Sequence, residues 1–244
     1  MKLKLYLSSE INGDDIGTQL FQIANVVKYE KESKKNNIKR KIIFKKTDNH
    51  NWDKMFKGIF KLYNNESFNN IKFEFSDIDN ITSLNNIFLT NKYEEYDDNI
   101  RDKMIRIIYN NEDLMYDAYY KYRDILDYYG EKTKDDELVA LYFDNDIEID
   151  YYVKALDCIN INNLVIFCKN KEECIYKLPR DKYNIYYVEN MNEDSEIILY
   201  SLFQHNIISR SYICLWASYI SHYDNKIVIS PRNNIHHKNI TKYI

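Results

Sequence analysis

Two places in this chain set polar, chemically useful residues where an apolar strand pattern runs into a turn. The first is Ser209-Arg210-Ser211-Tyr212, which follows the apolar pair Ile207-Ile208 and precedes a second apolar run holding Trp216. A turn between a buried strand and a helix start gathers unpaired backbone N–H groups and the positive end of the helix dipole. A guanidinium and hydroxyls in such a turn suit an anionic group, since Arg meets two phosphate oxygens at once. The second place is Asp144-Asn145-Asp146, after the apolar run Glu137 to Phe143. A D-x-D at a strand end can hold a divalent cation through hard carboxylate oxygens that bridge to a nucleotide diphosphate. The same tripeptide also makes an ordinary solvated turn, and Asp and Asn are abundant here.

The elements around these residues read as alternating strands and helices. Glu196 to Ile220 predicts helix, short strand, turn, helix, because Ile197, Leu199 with Tyr200, Phe203 and Ile207 recur at three- and four-residue steps, while Asn206 to Ser211 sets a short apolar pair among polar residues. Such a segment equally describes a plain buried α/β unit. Leu3 to Leu7 predicts a strand, Asn12 to Gly17 a turn, and Gln19 to Lys34 a helix with Leu20, Phe21, Ile23, Ala24 and Val27 on one side. Ile42 to Lys45 is a second strand. Arg101 to Tyr129 reads as one long helix, and the polar stretch Gly130 to Asp136 as a linker between two halves, 1–130 and 137–244. Residues 47 to 100 suggest small helices and strands without legible chemistry.

A net charge of -4 argues against nucleic acid as a partner. The lysines and Arg40 between Lys28 and Lys46 read as a solvated helix end and loop. Cys158, Cys168, Cys174 and Cys214 show neither a C-x-x-C pair nor matching His spacing, so neither a zinc site nor a disulfide framework is expected. The N-terminus alternates like a strand rather than a signal peptide, and no apolar run reaches the roughly 18 residues of a membrane span. A soluble, cytoplasmic protein is expected. The 24 tyrosines accompany much Asn, Ile and Lys, which points to AT-rich coding; they read as core and surface filler rather than as a stacking platform for sugars or bases.

The stretch from Glu196 resembles the C-terminal motif of the α-1,2-fucosyltransferase family (glycosyltransferase family eleven), D-L-x-L-M-S-x-C-x-H-N-I-I-A-N-S-[ST]-F-S-W-W-A-A-Y-L. Leu199, Ser201, His205, Asn206, Ile207, Ile208, Ser211, Trp216, Ala217 and Tyr219 stand on it. Ile16, Gly17, Thr18, Gln19, Leu20, Phe21, Gln22 and Ala24 are similar to that family's N-terminal G-G-L-G-N-Q-[LM]-F-Q-x-A, and Tyr151 to Leu156 to its Y-Y-x-K-A-I helix. The family's closing strand and proline are matched by Lys226 to Pro231. Resemblance covers residues 3 to 27 and about 138 to 231.

That resemblance implies an α/β protein of the GT-B kind, two Rossmann-like halves facing a cleft, the first on the acceptor side and the second on the nucleotide-sugar side. It implies inverting, metal-independent transfer of a sugar, fucose from GDP-fucose in the family, to a glycan hydroxyl, without any other cofactor. Gly17, Thr18, Gln19, Arg210, Ser211, Tyr212 and Asp144 would lie at the donor, and Asp146 and Asp15, with Asp14, are the positional candidates for the base. Several donor-facing positions depart from the pattern. Asp14-Asp15 replace a Gly-Gly pair, Cys168-Lys169-Asn170 replace Ser-Asp-Asp, and the diphosphate arginine of H-x-R-R-G-D-Y is missing where Tyr142 to Asn145 stand. Arg210 could supply that guanidinium from another element. Two other readings stay open: a catalytically silent scaffold that binds a glycan, nucleotide or protein, and a D-x-D enzyme dependent on a metal ion.

Overall fold

The computed structural model describes residues 5–9, 15–45, 55–56, 58–76, 87–89, 96–130, 133–134, 137–178, 181–232 and 241–244. The chain divides into two compact units, Met1–Asn111 and Glu112–Ile244. Both are mixed α/β with parallel sheets.

In the first unit, β1 (Leu5–Ser9) feeds α1 (Ile16–Lys35), which returns to β2 (Arg40–Lys45). β3 (Lys61–Tyr63), α2 (Asn65–Asn69), β4 (Glu74–Ser76), β5 (Ile87–Leu89) and α3 (Asp98–Ile108) follow. The sheet order is β3-β2-β1-β5-β4, every pair parallel. Helix α1 starts where Asp15 caps it and ends at Asn36 and Asn37, the latter at φ 59°, a left-handed position that Asn tolerates. One side of α1 buries Leu20, Phe21, Ile23, Ala24 and Val27. Tyr96 ties α1 to the start of α3: its hydroxyl donates to Asn25 Oδ1 at 2.5 Å. In the basic stretch Lys31 pairs with Asp97, Lys34 with Glu30 and Lys35 with Glu32, each at 2.7 Å, but Arg40 departs from the solvated reading: it opens β2, is buried, and sets its guanidinium 5.3 Å from the Tyr29 ring centroid.

The second unit opens with α4 (Glu112–Tyr129). The single helix expected over Arg101 to Tyr129 is in fact two, broken at 109–111. Tyr109 N–H donates to Ile105 O and Asn110 N–H to Ile107 O, closing α3, and Glu112 and Asp113 open the first turn of α4. Gly130, at φ 100°, then ends α4 in the left-handed conformation that glycine adopts without strain. Helix α4 belongs to this second unit, not to the 1–130 half read from the sequence. Its Tyr129 hydroxyl lies 2.7 Å from Leu164 O and accepts Tyr186 N–H at 3.0 Å, and its Tyr122 ring meets Phe203 edge-on.

After α4 the unit runs β6 (Leu138–Tyr142), α5 (Ile149–Asp157), β7 (Asn163–Phe167), α6 (Lys171–Lys177) and β8 (Asn184–Val188). It continues through α7 (Glu193–Ser201), β9 (His205–Ile207), α8 (Tyr212–Ile220), β10 (Val228–Ser230) and β11 (Lys242–Tyr243). The helix, short strand, turn and helix expected over Glu196 to Ile220 are present, with the first helix starting a turn earlier.

The sheet order is β11-β10-β9-β6-β7-β8, all parallel. Counted from β6, this is 6-5-4-1-2-3, the Rossmann order. Parallel strands buried on both faces read as continuous apolar runs, which is how Leu138–Tyr142 and Asn163–Phe167 read. One face packs Val139, Leu141, Ile166, Ile207 and Ile229 against Tyr151, Tyr152, Ala155 and Leu156 of α5. The opposite face sets Tyr142 and Phe167 against Tyr200 of α7, and Phe167 also against Phe203. Among the described residues no helix is long and apolar enough to cross a membrane.

Tyr200 is fully buried, and its hydroxyl lies 3.1 Å from Ala140 O and 3.0 Å from Ile207 O, bridging β6 and β9. Tyr200→Phe keeps the ring and removes that bridge, so urea unfolding should show a loss of about 1 kcal/mol. Tyr200→Ala should lose several times as much through the cavity it leaves.

Candidate functional site

Strand order reverses at β6 and β9, the neighbouring pair from which the chain winds outward in both directions. In an open parallel sheet the connections leaving the carboxyl ends of such a pair diverge, and the crevice between them is where ligands bind. Here those connections are Phe143–Glu148 and Ile208–Ser211. The structure thereby brings Asp144, Asp146, Arg210, Ser211 and Tyr212 to adjacent strand ends, although more than sixty residues of sequence separate the two groups.

Two consecutive tyrosines on α5 hold this seam in shape. Tyr152 Oη accepts Asp144 N–H at 2.7 Å and lies 3.3 Å from Tyr142 O, which fixes the exit from β6. Tyr151 Oη lies 2.6 Å from Ile208 O and 3.0 Å from Ile229 O, which fixes the exits from β9 and β10. Burial raises both phenols well above their ordinary range, so they serve as neutral donors.

The Ser209 to Ser211 turn is organised from within. Ser211 N–H donates to Ser209 Oγ at 3.0 Å, and Ser211 Oγ caps α8 by accepting Ile213 N–H at 3.2 Å. The Cys214 thiol, pushed up to about 12 by burial, donates to Ser211 O at 3.0 Å. Arg210 projects from this turn, exposed and without an ion pair among the described residues. His205 is structural: its Nδ1 accepts Ile227 N–H at 3.1 Å and joins β9 to the start of β10. Asn206 is buried on β9, and neither its Oδ1 nor its Nδ2 has a hydrogen-bond partner among the described residues.

Asp144 and Asp146 share one turn. Asp144 Oδ1 accepts Asp146 N–H at 3.0 Å, an Asx turn that spends one carboxylate on the backbone while Asp146 stays exposed. Asn145 bonds to Glu173 and accepts from Lys177 Nζ at 3.0 Å. No cluster of three or more His, Cys, Asp or Glu that could hold a metal ion occurs among the described residues.

The other candidates lie in the first unit, at the start of α1. Asp15 is its N-cap: Oδ1 accepts Thr18 N–H at 2.8 Å and Oδ2 accepts the Thr18 hydroxyl at 2.7 Å. Both carboxylate oxygens are thus committed to the helix start, which suits a cap better than a base. Gly17 and Gln19 are buried in that first turn. Asp14 lies outside the described residues.

Sequence reasoning missed one group at the seam. Glu196, in the first turns of α7, accepts from the Tyr142 hydroxyl at 3.4 Å. Burial and the neighbouring Glu193 raise its carboxyl to about 7, against opposing effects of Tyr142 and Lys169. Tyr142 in turn is raised by burial and by Glu196, and its hydroxyl also meets Ser211. A carboxyl at the strand-end seam that titrates near neutrality has the protonation behaviour of a general acid or base. Its available signal was position alone, since Glu196 opens the stretch that carries the strongest motif.

No family model, curated protein or solved structure matches the chain.

The raised carboxyl has a consequence for stability. Between pH 4.5 and about 7 the folded chain keeps the Glu196 proton that the unfolded chain has released, so stability falls as pH rises through this window and levels above it. Glu196→Gln should abolish that fall. Urea unfolding at pH 5 and pH 8 should show the variant gaining on the parent by on the order of 2 kcal/mol at the higher pH.

Proposed function

We propose that the chain is a divergent glycosyltransferase of the α-1,2-fucosyltransferase kind, its two units forming a GT-B arrangement with the donor on the second. The observation that carries this is the 6-5-4-1-2-3 sheet, whose reversal point coincides with the Arg210-Ser211 helix start. In this reading α8 directs its N-terminal amides at the diphosphate of a nucleotide-sugar, and Arg210 supplies the cation missing from the end of β6. The acceptor is a glycan hydroxyl, which attacks the anomeric carbon directly with inversion while the departing diphosphate is stabilised by Arg210 and the helix dipole. Glu196, which titrates near neutrality beside Ser211, takes the place of Asp146 and Asp15 as the leading candidate for the proton acceptor. No metal ion is required.

A second reading has its own support. Asp144, Asp146 and Glu196 put three carboxyls around the seam, and the ionised Glu196 that could accept a proton also weakens the hold on a diphosphate. A scaffold that keeps the fold without transfer is the consequence if that balance fails.

Titration calorimetry with GDP-fucose, and with GDP, UDP and UDP-sugars in parallel, distinguishes these readings. GDP-sugar binding without Mn²⁺ is expected, weakened about tenfold or more by Arg210→Ala, since hydrogen bonds to charged groups contribute about 1.5–3 kcal/mol. Affinity for GDP-fucose, whose diphosphate does not titrate near neutrality, should fall as pH rises through about 7, and Glu196→Gln should remove the fall. Absence of any nucleotide binding would support the silent scaffold, and binding only with Mn²⁺ would support the D-x-D site.

A further inference from the structure

Helix α4 turns an unusual set of side chains to solvent: Tyr116, Tyr119 and Tyr120 are 69%, 49% and 62% exposed. Tyr116 and Tyr120, one turn apart, lie nearly parallel, with ring centroids 6.2 Å apart and planes at 24°. Large rings left in water gain nothing from burial in the free chain, and a stacked pair of them offers an apolar ring face to a ligand. Beside this pair an open groove of about 650 Å³ runs between α4 and the Glu189–Asn192 segment that follows β8. That is the size of a pocket for a small ligand.

The groove's polar lining is specific. Ser195, on α7, lines it with only 2% exposure, and its Oγ has no hydrogen-bond partner among the described residues. A buried hydroxyl without a partner has lost its hydration with nothing in return, so a ligand group that reaches it is favoured. Asp117, Asp124 and Glu189 line the groove against a single cation, Lys121, whose ammonium sits 5.2 Å from the Tyr186 ring centroid. Three carboxylates against one ammonium disfavour phosphates and nucleic acid. They suit a ligand rich in hydroxyl donors, because a carboxylate accepts from two neighbouring hydroxyls at once.

We propose that this groove is a binding site for a neutral oligosaccharide. One sugar ring lays its C–H face on the Tyr116–Tyr120 pair, and hydroxyls along the oligosaccharide donate to Asp117 and, two turns on, Asp124, with one reaching Ser195. A lysine-rich peptide would share the acidic rim and the rings, but its ammonium groups would meet the like charge of Lys121 in the groove, whereas neutral hydroxyls would not. The site is distinct from the seam: Ser195 faces the groove, whereas the next residue, Glu196, contacts Tyr142. It requires neither nucleotide binding nor transfer.

The test applies the full chain to a printed array of neutral hexose and deoxyhexose oligosaccharides, then titrates the strongest binder by calorimetry alongside a lysine-rich peptide and GDP. Binding of a neutral oligosaccharide is expected. It should fall at least tenfold in Tyr116→Ala/Tyr120→Ala and severalfold in Ser195→Ala. Tyr116→Phe/Tyr120→Phe should retain it, because the ring faces remain, and so should Arg210→Ala, which tests the seam instead. Both tyrosines are exposed, and circular dichroism identifies a variant that has not folded. The proposal is overturned if no neutral oligosaccharide binds, or if binding survives loss of both rings. It is equally overturned if only the peptide or only GDP responds to the double alanine variant.

Discussion

The second unit depends on how the carbonyls at the β6–β9 seam are satisfied. Where neighbouring strands lead to connections on opposite faces, the ladder stops and the last carbonyls need other donors. Tyr151 and Tyr152 supply them from one face and Tyr200 from the other, reaching Ile208, Tyr142, Ala140 and Ile207. A tyrosine suits this position because its ring fills the core and its hydroxyl reaches the sheet's edge. These phenols hold both loops of the candidate site at fixed separation, so the geometry of the site is a by-product of the sheet's own hydrogen-bond requirement.

Charge decides what the site can accept. The turn at Arg210 and Ser211 has the amides, the dipole and one cation of an anion site, while Asp144, Asp146 and Glu196 oppose it. Glu196 is the adjustable member, since its proton is held to about pH 7 by burial and by Glu193. Protonated, it donates a hydrogen bond and adds no charge; ionised, it adds a third negative group. Asp144 is partly occupied by its own turn, and Asp15, in the other unit, is fully occupied by Thr18. Carboxylates that look alike in the sequence therefore differ in what they are free to do.

Much of this architecture was legible beforehand because parallel strands and their helices carry strong patterns. Leu138–Tyr142 and the Glu196 to Ile220 unit could be read from apolar runs and periodicity. The long helix over Arg101 to Tyr129 was misread because its apolar spacing continues across Tyr109-Asn110-Asn111, while the break depends on which unit each half packs against. Exposure of Tyr116 and Tyr120 was equally hidden, since the composition that makes tyrosine common here says nothing about which rings face water.

Residue order alone determined the alternation of strands and helices, the turn carrying Arg210 and the acidic turn at Asp144, because these follow from local patterns of apolarity and capping. Only the tertiary structure decided that the two turns are neighbours, that Asp15 is a cap, that Glu196 titrates near neutrality and that Ser195 lies unpartnered beside two stacked rings. Each of these depends on strand order and burial, which bring together residues far apart in the chain and set the dielectric around them, and neither quantity is encoded in any short stretch of sequence.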